Sequence, residues 1–107
     1  MDAKTLKDAA DSFISLKKRS SMKWVNTFDT TKFYNVLLTG AKLGKTSVSV
    51  ELEEMSHYEV AGEFDSLTMD KAYASMLLSE KLAREVAGLN VTYYPSGELT
   101  IDWGKTC

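Results

Sequence analysis

The sequence is poor in several residues on which protein chemistry depends, with one cysteine, one histidine and one proline among 107 residues. A single cysteine, Cys107, excludes a disulfide within the chain and favours a reducing compartment, so we expect a cytoplasmic protein with an exposed thiol at Cys107. No apolar run approaches the ~18 residues of a membrane-spanning helix. No apolar segment typical of a secretory signal follows Met1. We therefore expect no membrane partner.

The single histidine, His57, lies among carboxylates. Glu51, Glu53, His57 and Glu59 on one exposed face would suit a weak site for a divalent cation. Their spacing matches no established ligand pattern, and alternating acids are also typical of a solvent-facing strand. One histidine without a placed nucleophile or an acid–base pair defines no reaction. We therefore expect that the protein is not an enzyme and that it binds no cofactor and no metal. The sequence by itself does not exclude a metal at this cluster.

A glycine- and lysine-containing segment, Gly40-Ala41-Lys42-Leu43-Gly44-Lys45-Thr46, resembles a phosphate-binding loop in composition. That motif needs four residues between its glycines, and this segment has three. The motif also needs a following helix, whose N-terminus holds the phosphate, whereas an alternating strand pattern follows Thr46. The segment is therefore expected to be a hairpin loop or a helix-to-strand connection.

The residues that are present predict a single domain spanning residues 1–107, with 44% hydrophobic residues to form its core. The formal net charge of -2 conceals an uneven distribution. Residues 1–49 contain nine lysines and arginines against four acids, and residues 50–107 contain four against eleven. This division suits either two halves that complement each other at the surface or a field that orients a charged partner.

The last third of the chain predicts a long helix followed by a hairpin. A helical pattern over residues 68–87 ends at Gly88, and Pro95-Ser96-Gly97 has the composition of a bulged hairpin loop. Leu99, Ile101 and Trp103 alternate with polar residues, so we expect the Trp103 face of the second strand to be buried.

The remaining elements follow from similar patterns. Residues 2–18 predict an amphipathic helix that Asp2 caps and the serines at 20 and 21 end. Residues 47–53 and 57–64 predict strands, and residues 30–43 fit either a helix or a strand, with β-branched and aromatic residues favouring the strand. The predicted fold is α+β, with the order α-β-β-β-α-β-β and an antiparallel sheet of four to five strands packed by two helices.

Two surfaces are candidates for binding a partner. The first is a basic cluster with an adjacent aromatic residue, Lys17, Lys18, Arg19, Lys23 and Trp24. The second is the long helix, which is apolar over a wider arc than one core stripe requires. Its predicted core stripe is Met69, Ala72, Met76, Ala83, Val86 and Ala87. Its predicted interface is the flanking set of Tyr73, Leu77 and Leu78.

Small size, the lack of an active-site motif, the charge distribution and the wide helix together predict a non-catalytic protein-interaction module. Such a module is a small accessory, adaptor or inhibitor protein of phage or plasmid type, which occupies the surface of a partner protein either alone or as a homodimer. The alternative is a nucleic-acid-binding module, in which the Lys17–Trp24 patch contacts phosphates and Trp24 stacks on a base. The acidic pI of about 5.4 is less typical of that class.

Overall fold

The computed structural model describes residues 1–104, and the predicted exposed thiol of Cys107 lies outside the described residues. The element order is helix α1 (Ala3–Asn26), helix α2 (Thr30–Lys42), strand β1 (Ser47–Glu51), a 3-10 turn (Leu52–Glu54), helix α3 (Lys71–Glu85), strand β2 (Asn90–Tyr93) and strand β3 (Glu98–Asp102). The α+β class is confirmed. The described residues form three helices and three strands, and not the predicted two helices and four to five strands.

The sheet has the order β1-β3-β2, and both pairings are antiparallel. The central strand β3 places Ile101 opposite Val48 on one side and Val91 on the other. Leu99 and Ile101 are fully buried. The predicted hairpin is confirmed, since Gly97 adopts a φ of 94° and the Tyr94 amide donates to the Glu98 carbonyl at 2.9 Å. Trp103 follows β3, is only half-buried and donates from its indole nitrogen to the Lys45 carbonyl at 3.0 Å.

The preference for a strand over residues 30–43 was wrong, because this segment is helix α2. The Asp29 carboxylate caps the helix by accepting a hydrogen bond from the Lys32 amide at 3.0 Å. Phe33 and Leu37 lie one turn apart and both enter the core. Local β propensity yields here to the burial of two large side chains on one helical face.

The strand predicted over residues 57–64 is also absent, and irregular turns take its place. Glu59 has a φ of 58°, which lies in the left-handed region that no extended strand uses. Val60 and Phe64 are nevertheless buried, whereas Tyr58 is exposed. This connection covers the end of α1, where the indole nitrogen of Trp24 donates to the Gly62 carbonyl at 2.9 Å.

Helix α3 begins later than predicted, after Asp70, whose carboxylate accepts from the Tyr73 amide at 3.0 Å. Its buried face also differs from the predicted core stripe. The buried residues are Ala74, Ser75, Leu78, Ser79 and Leu82. The Ser75 and Ser79 hydroxyls donate to carbonyls three residues earlier, so both serines are buried with their polar atoms satisfied.

Helix α1 is longer than predicted, because it continues through the two serines that were expected to end it. The Ser21 hydroxyl donates to the Lys17 carbonyl at 2.8 Å, so it is satisfied inside the helix. Every residue from 1 to 16 is exposed, and the buried positions of α1 are Ser21, Trp24 and Val25. The radius of gyration is 16.2 Å, compared with about 13 Å for a compact chain of this length.

Candidate protein-interaction surface

The structure brings the two predicted surfaces together. The Lys18 ammonium lies 5.6 Å from the centre of the Tyr73 ring, within the range of a cation–π interaction. Lys18 belongs to the basic cluster on α1, and Tyr73 belongs to the predicted interface on α3. The two helices therefore form one continuous surface at this point, which we call the α1–α3 patch and define by Lys18, Tyr73 and Leu77.

The remaining basic residues do not form a single patch. Lys17, Lys18 and Arg19 follow one another in a helix, so their side chains point about 100° apart. Lys17 is half-buried, and its ammonium lies 5.7 Å from the centre of the Phe13 ring. Arg19 and Lys23 are exposed. The positive charge therefore surrounds α1 and is not concentrated on one face.

Two of the predicted contact residues are inaccessible. Leu78 has no exposed surface, because it lies on the buried face of α3 and not on the flank where it was predicted. Trp24 is 4% exposed and packs edge-on against Phe64, with ring centres 5.2 Å apart. Its indole nitrogen is already hydrogen-bonded to Gly62. In this structure neither side chain is available to a partner, and Trp24 is not available to stack on a base.

An exposed apolar face lies on the N-terminal part of α1. We call residues 3–20 the α1 arm, and its exposed apolar residues the apolar stripe: Leu6, Ala9, Ala10, Phe13, Ile14 and Leu16. Leu6 is 75% exposed, and Phe13 and Ile14 are 52% and 51% exposed. The periodicity of these residues is visible in the sequence, but whether anything covers them is not.

The stripe continues the face of α1 that enters the core. Leu6 and Trp24 are 18 residues apart, which is about five helical turns, so they lie on the same side of α1. Trp24 is buried there and Leu6 is exposed. One face of α1 therefore passes from the core of the protein into solvent, with Lys17 between its exposed and its buried apolar residues.

A short acidic segment follows the sheet strand β1 and borders this face. Residues 52–70 contain six acidic residues and no lysine or arginine. Its Gly62 carbonyl accepts from Trp24, and its Asp70 amide donates to the Ser21 hydroxyl at 2.8 Å. The acidic segment therefore lies at the base of the α1 arm, on the same side as the apolar stripe.

The carboxylates around His57 are not assembled into a metal site. Within residues 1–104, no group of three or more histidine, cysteine, aspartate or glutamate side chains is placed to hold a metal ion. Glu53 instead forms an ion pair with Lys71 at 2.6 Å. Hydrogen bonding to Lys71 lowers the pKa of Glu53, and the same contact raises the pKa of Lys71.

The apolar cavity beside Trp103 is small. It has a volume of about 200 Å³ and lies between α2 and the α3–β2 connection, with a lining that includes Tyr34, Leu38 and Val86. Ligand-binding sites are usually larger and combine an apolar lining with several converging polar groups. The cavity therefore offers little to recognise a small molecule.

Among the helices that residues 1–104 form, none has the length and apolar character needed to cross a membrane. Comparisons with protein-family models, with curated proteins and with solved structures find no match to this chain. Function is therefore inferred from the exposed surfaces of the chain itself.

Proposed function

We propose that the protein is a non-catalytic protein-interaction module that binds another protein through the α1 arm. The observation that carries this proposal is the apolar stripe, which remains exposed from Leu6 to Leu16, along about three turns of helix. Exposed apolar surface rimmed by polar residues is typical of protein-binding sites. Lysines at 4, 7 and 18 and aspartates at 8 and 11 flank the stripe or lie behind it, which favours a partner surface with charges of both signs around an apolar centre.

The α1–α3 patch supports the same proposal from a second face of α1. Leu77 is half-buried beside Lys81 and Met22, and Tyr73 is half-buried beneath Lys18. Aromatic residues combined with flexible cations are common in protein interfaces. Leu77→Glu tests this patch, because Leu77 is only half-buried, whereas Leu78→Glu would place a carboxylate in the core and unfold the protein.

The nucleic-acid alternative loses its main support from the position of Trp24. A module that binds single strands needs an exposed aromatic ring for stacking, and this indole is enclosed by Phe64 and Gly62. The lysines and the arginine also point in different directions around α1, whereas a phosphate backbone is usually met by a basic stripe on one side.

Affinity capture from an extract of the native host, with mass spectrometry, tests the proposed function. The baits are the wild type, Phe13→Glu in the stripe, and Ser12→Glu as a matched control on the polar side of the same turn. Proteins retained by the wild type and by Ser12→Glu, but lost from Phe13→Glu, support the proposal. An identical retained set for all three baits contradicts it.

Binding to heparin and to a mixed-sequence oligonucleotide, at about 50 and about 200 mM salt, tests the alternative. The protein is expected to bind both weakly, with little retained at the higher salt concentration. Sub-micromolar binding to the oligonucleotide at physiological salt, lost when Lys17, Lys18, Arg19 and Lys23 are reversed in charge, would favour the nucleic-acid module.

A further inference from the structure

A covering surface would stabilise the helical form of the α1 arm. A helix of about 12–15 residues without tertiary contacts is only marginally stable in water, because most helical stability comes from packing an amphipathic face. The arm has 18 residues, and all of those up to position 16 are exposed. An occupant that packs along the stripe would therefore stabilise the arm and bury its apolar residues.

We propose that the occupant is a second copy of this chain, whose α1 arm packs antiparallel against the first about a two-fold axis near residues 11 and 12. This inference rests on the proposed function, since the same stripe provides the contact. Two arms related in this way present identical surfaces to each other, as in the commonest class of protein dimer.

The order of small and large residues along the stripe favours the antiparallel arrangement. The small residues Ala9 and Ala10 precede the large residue Phe13. A two-fold axis near residues 11 and 12 places both alanines of one copy opposite Phe13 of the other. The same axis places Leu6 opposite Leu16. Phe13 therefore meets small side chains, which allows close packing of the two helices near the axis.

The charges favour the same direction. Residues 1–11 contain three aspartates and two lysines, whereas residues 12–23 contain four lysines and arginines and no acid. The antiparallel pair places the basic half of each helix level with the half of the other copy that holds the aspartates. In a parallel pair, the two basic halves would lie together. The charges are therefore better matched in the antiparallel pair.

An anionic membrane surface is the rival occupant for a basic amphipathic helix. The polar side of the arm argues against it, because Asp8 and Asp11 lie there among the lysines. Lipid headgroups of negative charge would repel both carboxylates, whereas another protein places its own charges to suit them.

The first experiment measures the oligomeric state of the full chain by analytical ultracentrifugation over a wide concentration range. The wild type and the control Ser12→Glu are expected to dimerise, and Phe13→Glu is expected to weaken the dimer at least about tenfold. The intrinsic fluorescence of Trp24 and Trp103 reports whether each variant keeps its fold. A wild type that stays monomeric at all concentrations overturns the proposal, and so does a dimer that Phe13→Glu leaves unchanged.

The second experiment determines the direction of the pair by distances between spin labels, in a Cys107→Ser background that leaves one introduced thiol. In the antiparallel pair, labels at Ser12→Cys lie almost level, about 10 Å apart between helix axes. Labels at Ala3→Cys are separated by a further ~25 Å along the axis. Short distances at both positions indicate a parallel pair and overturn the proposal.

A sedimentation assay with vesicles of mixed phosphatidylcholine and phosphatidylserine tests the rival occupant. The protein is not expected to bind the vesicles through the stripe. If a monomeric wild type binds them and Phe13→Glu does not, the proposal is overturned in favour of a membrane. If the wild type is monomeric but still captures a host protein through the stripe, the dimer is excluded and the proposed function is retained. If it is monomeric and captures no protein through the stripe, both the dimer and the proposed function are contradicted.

Discussion

The backbone amide of Asp70 donates a hydrogen bond to the hydroxyl of Ser21 at 2.8 Å, across 49 positions of sequence. Ser21 is fully buried, and its hydroxyl also donates to the Lys17 carbonyl. Asp70 is the N-cap of α3, so this contact holds the start of α3 beside α1. Upstream of this level, residues 3–16 of α1 are exposed.

Ser21→Ala is expected to destabilise the protein by about 1–3 kcal/mol, because it leaves the Asp70 amide without its acceptor in a partly buried position. Chemical denaturation at neutral pH measures the effect. Ser20→Ala is the matched control, since Ser20 is a half-buried neighbour in the same helix. Equal free energies of unfolding for the two variants would show that the contact contributes nothing.

Gly97→Ala is expected to cost about 1–2 kcal/mol, because an L-residue is strained at the left-handed φ of 94°. The new methyl group would also lie 3.3 Å from Cδ of Lys71. Gly62→Ala is the control, since a methyl group added at Gly62 would meet no heavy atom within 4 Å and its φ is not positive. Thermal unfolding compares the stabilities of the two variants, and Gly62→Ala is expected to be the more stable.

Trp103→Ala is expected to cost about 2 kcal/mol, which is below the range for a fully buried aromatic residue because Trp103 is half-buried. Ile101→Ala should cost more, since Ile101 is completely enclosed in the central strand. Denaturation of both variants gives the comparison. A larger loss for Trp103→Ala than for Ile101→Ala would mean that the indole carries more of the core than its exposure indicates.

The ion pair of Glu53 and Lys71 predicts a limited dependence of stability on pH. The folded-state pKa of Glu53 is lowered by hydrogen bonding to Lys71. The ion pair therefore contributes fully to the free energy of unfolding above the ordinary glutamate pKa of about 4.3. This contribution is lost as the pH falls through the lower pKa that Glu53 has in the folded state. The difference in stability between wild type and Glu53→Gln should disappear in that acidic window.

Glu54→Gln is the matched control for this titration, since Glu54 lies next to Glu53 in the same 3-10 turn. It should lower the free energy of unfolding at neutral pH by less than Glu53→Gln does, because Glu54 forms no ion pair among residues 1–104. Both residues of the pair are more than one-third exposed, so salt should also reduce the contribution. A Glu53→Gln difference that persists unchanged at low pH would contradict a charge-based origin.

Local signals predicted the parts of the fold that short segments determine. Asp2 was identified as an N-cap, and its carboxylate accepts from the Thr5 amide at 2.8 Å. The hairpin was identified from Pro95 and Gly97, because a turn of this type needs a left-handed residue at the position of Gly97. These features depend on chemistry within a few residues, which is directly visible in the sequence.

The errors arose where distant contacts decide the outcome. The core face of α3 was misplaced because Ser75 and Ser79 are polar by type, whereas their hydroxyls are satisfied by helical carbonyls and both are buried. That error placed Leu78 on the flank. Trp24 was expected to be exposed because the turns at residues 60–64 that enclose it had been assigned to a strand.

The apolar stripe shows a different limit of sequence reasoning. The spacing of Leu6, Ala10 and Phe13 predicts an amphipathic helix, and α1 is such a helix. Whether its apolar face packs inside the same chain depends on the elements that happen to lie beside it. α3 starts only at the level of Ser21. Because no local pattern encodes that position, the exposed stripe emerged only from the structure.

The attachment of the α1 arm to a buried helical end also affects how the arm forms. Starting an isolated helix carries an equilibrium penalty of about 10⁻³, whereas adding residues to an existing helix is nearly neutral. Trp24 and Val25 keep the last turns of α1 fixed, so the arm extends a helix that has already started. Amide hydrogen exchange should therefore become faster from residue 20 towards residue 3. Alanine at Ser12 or Ser15, on the polar side, would extend the ordered part and strengthen binding without touching the partner.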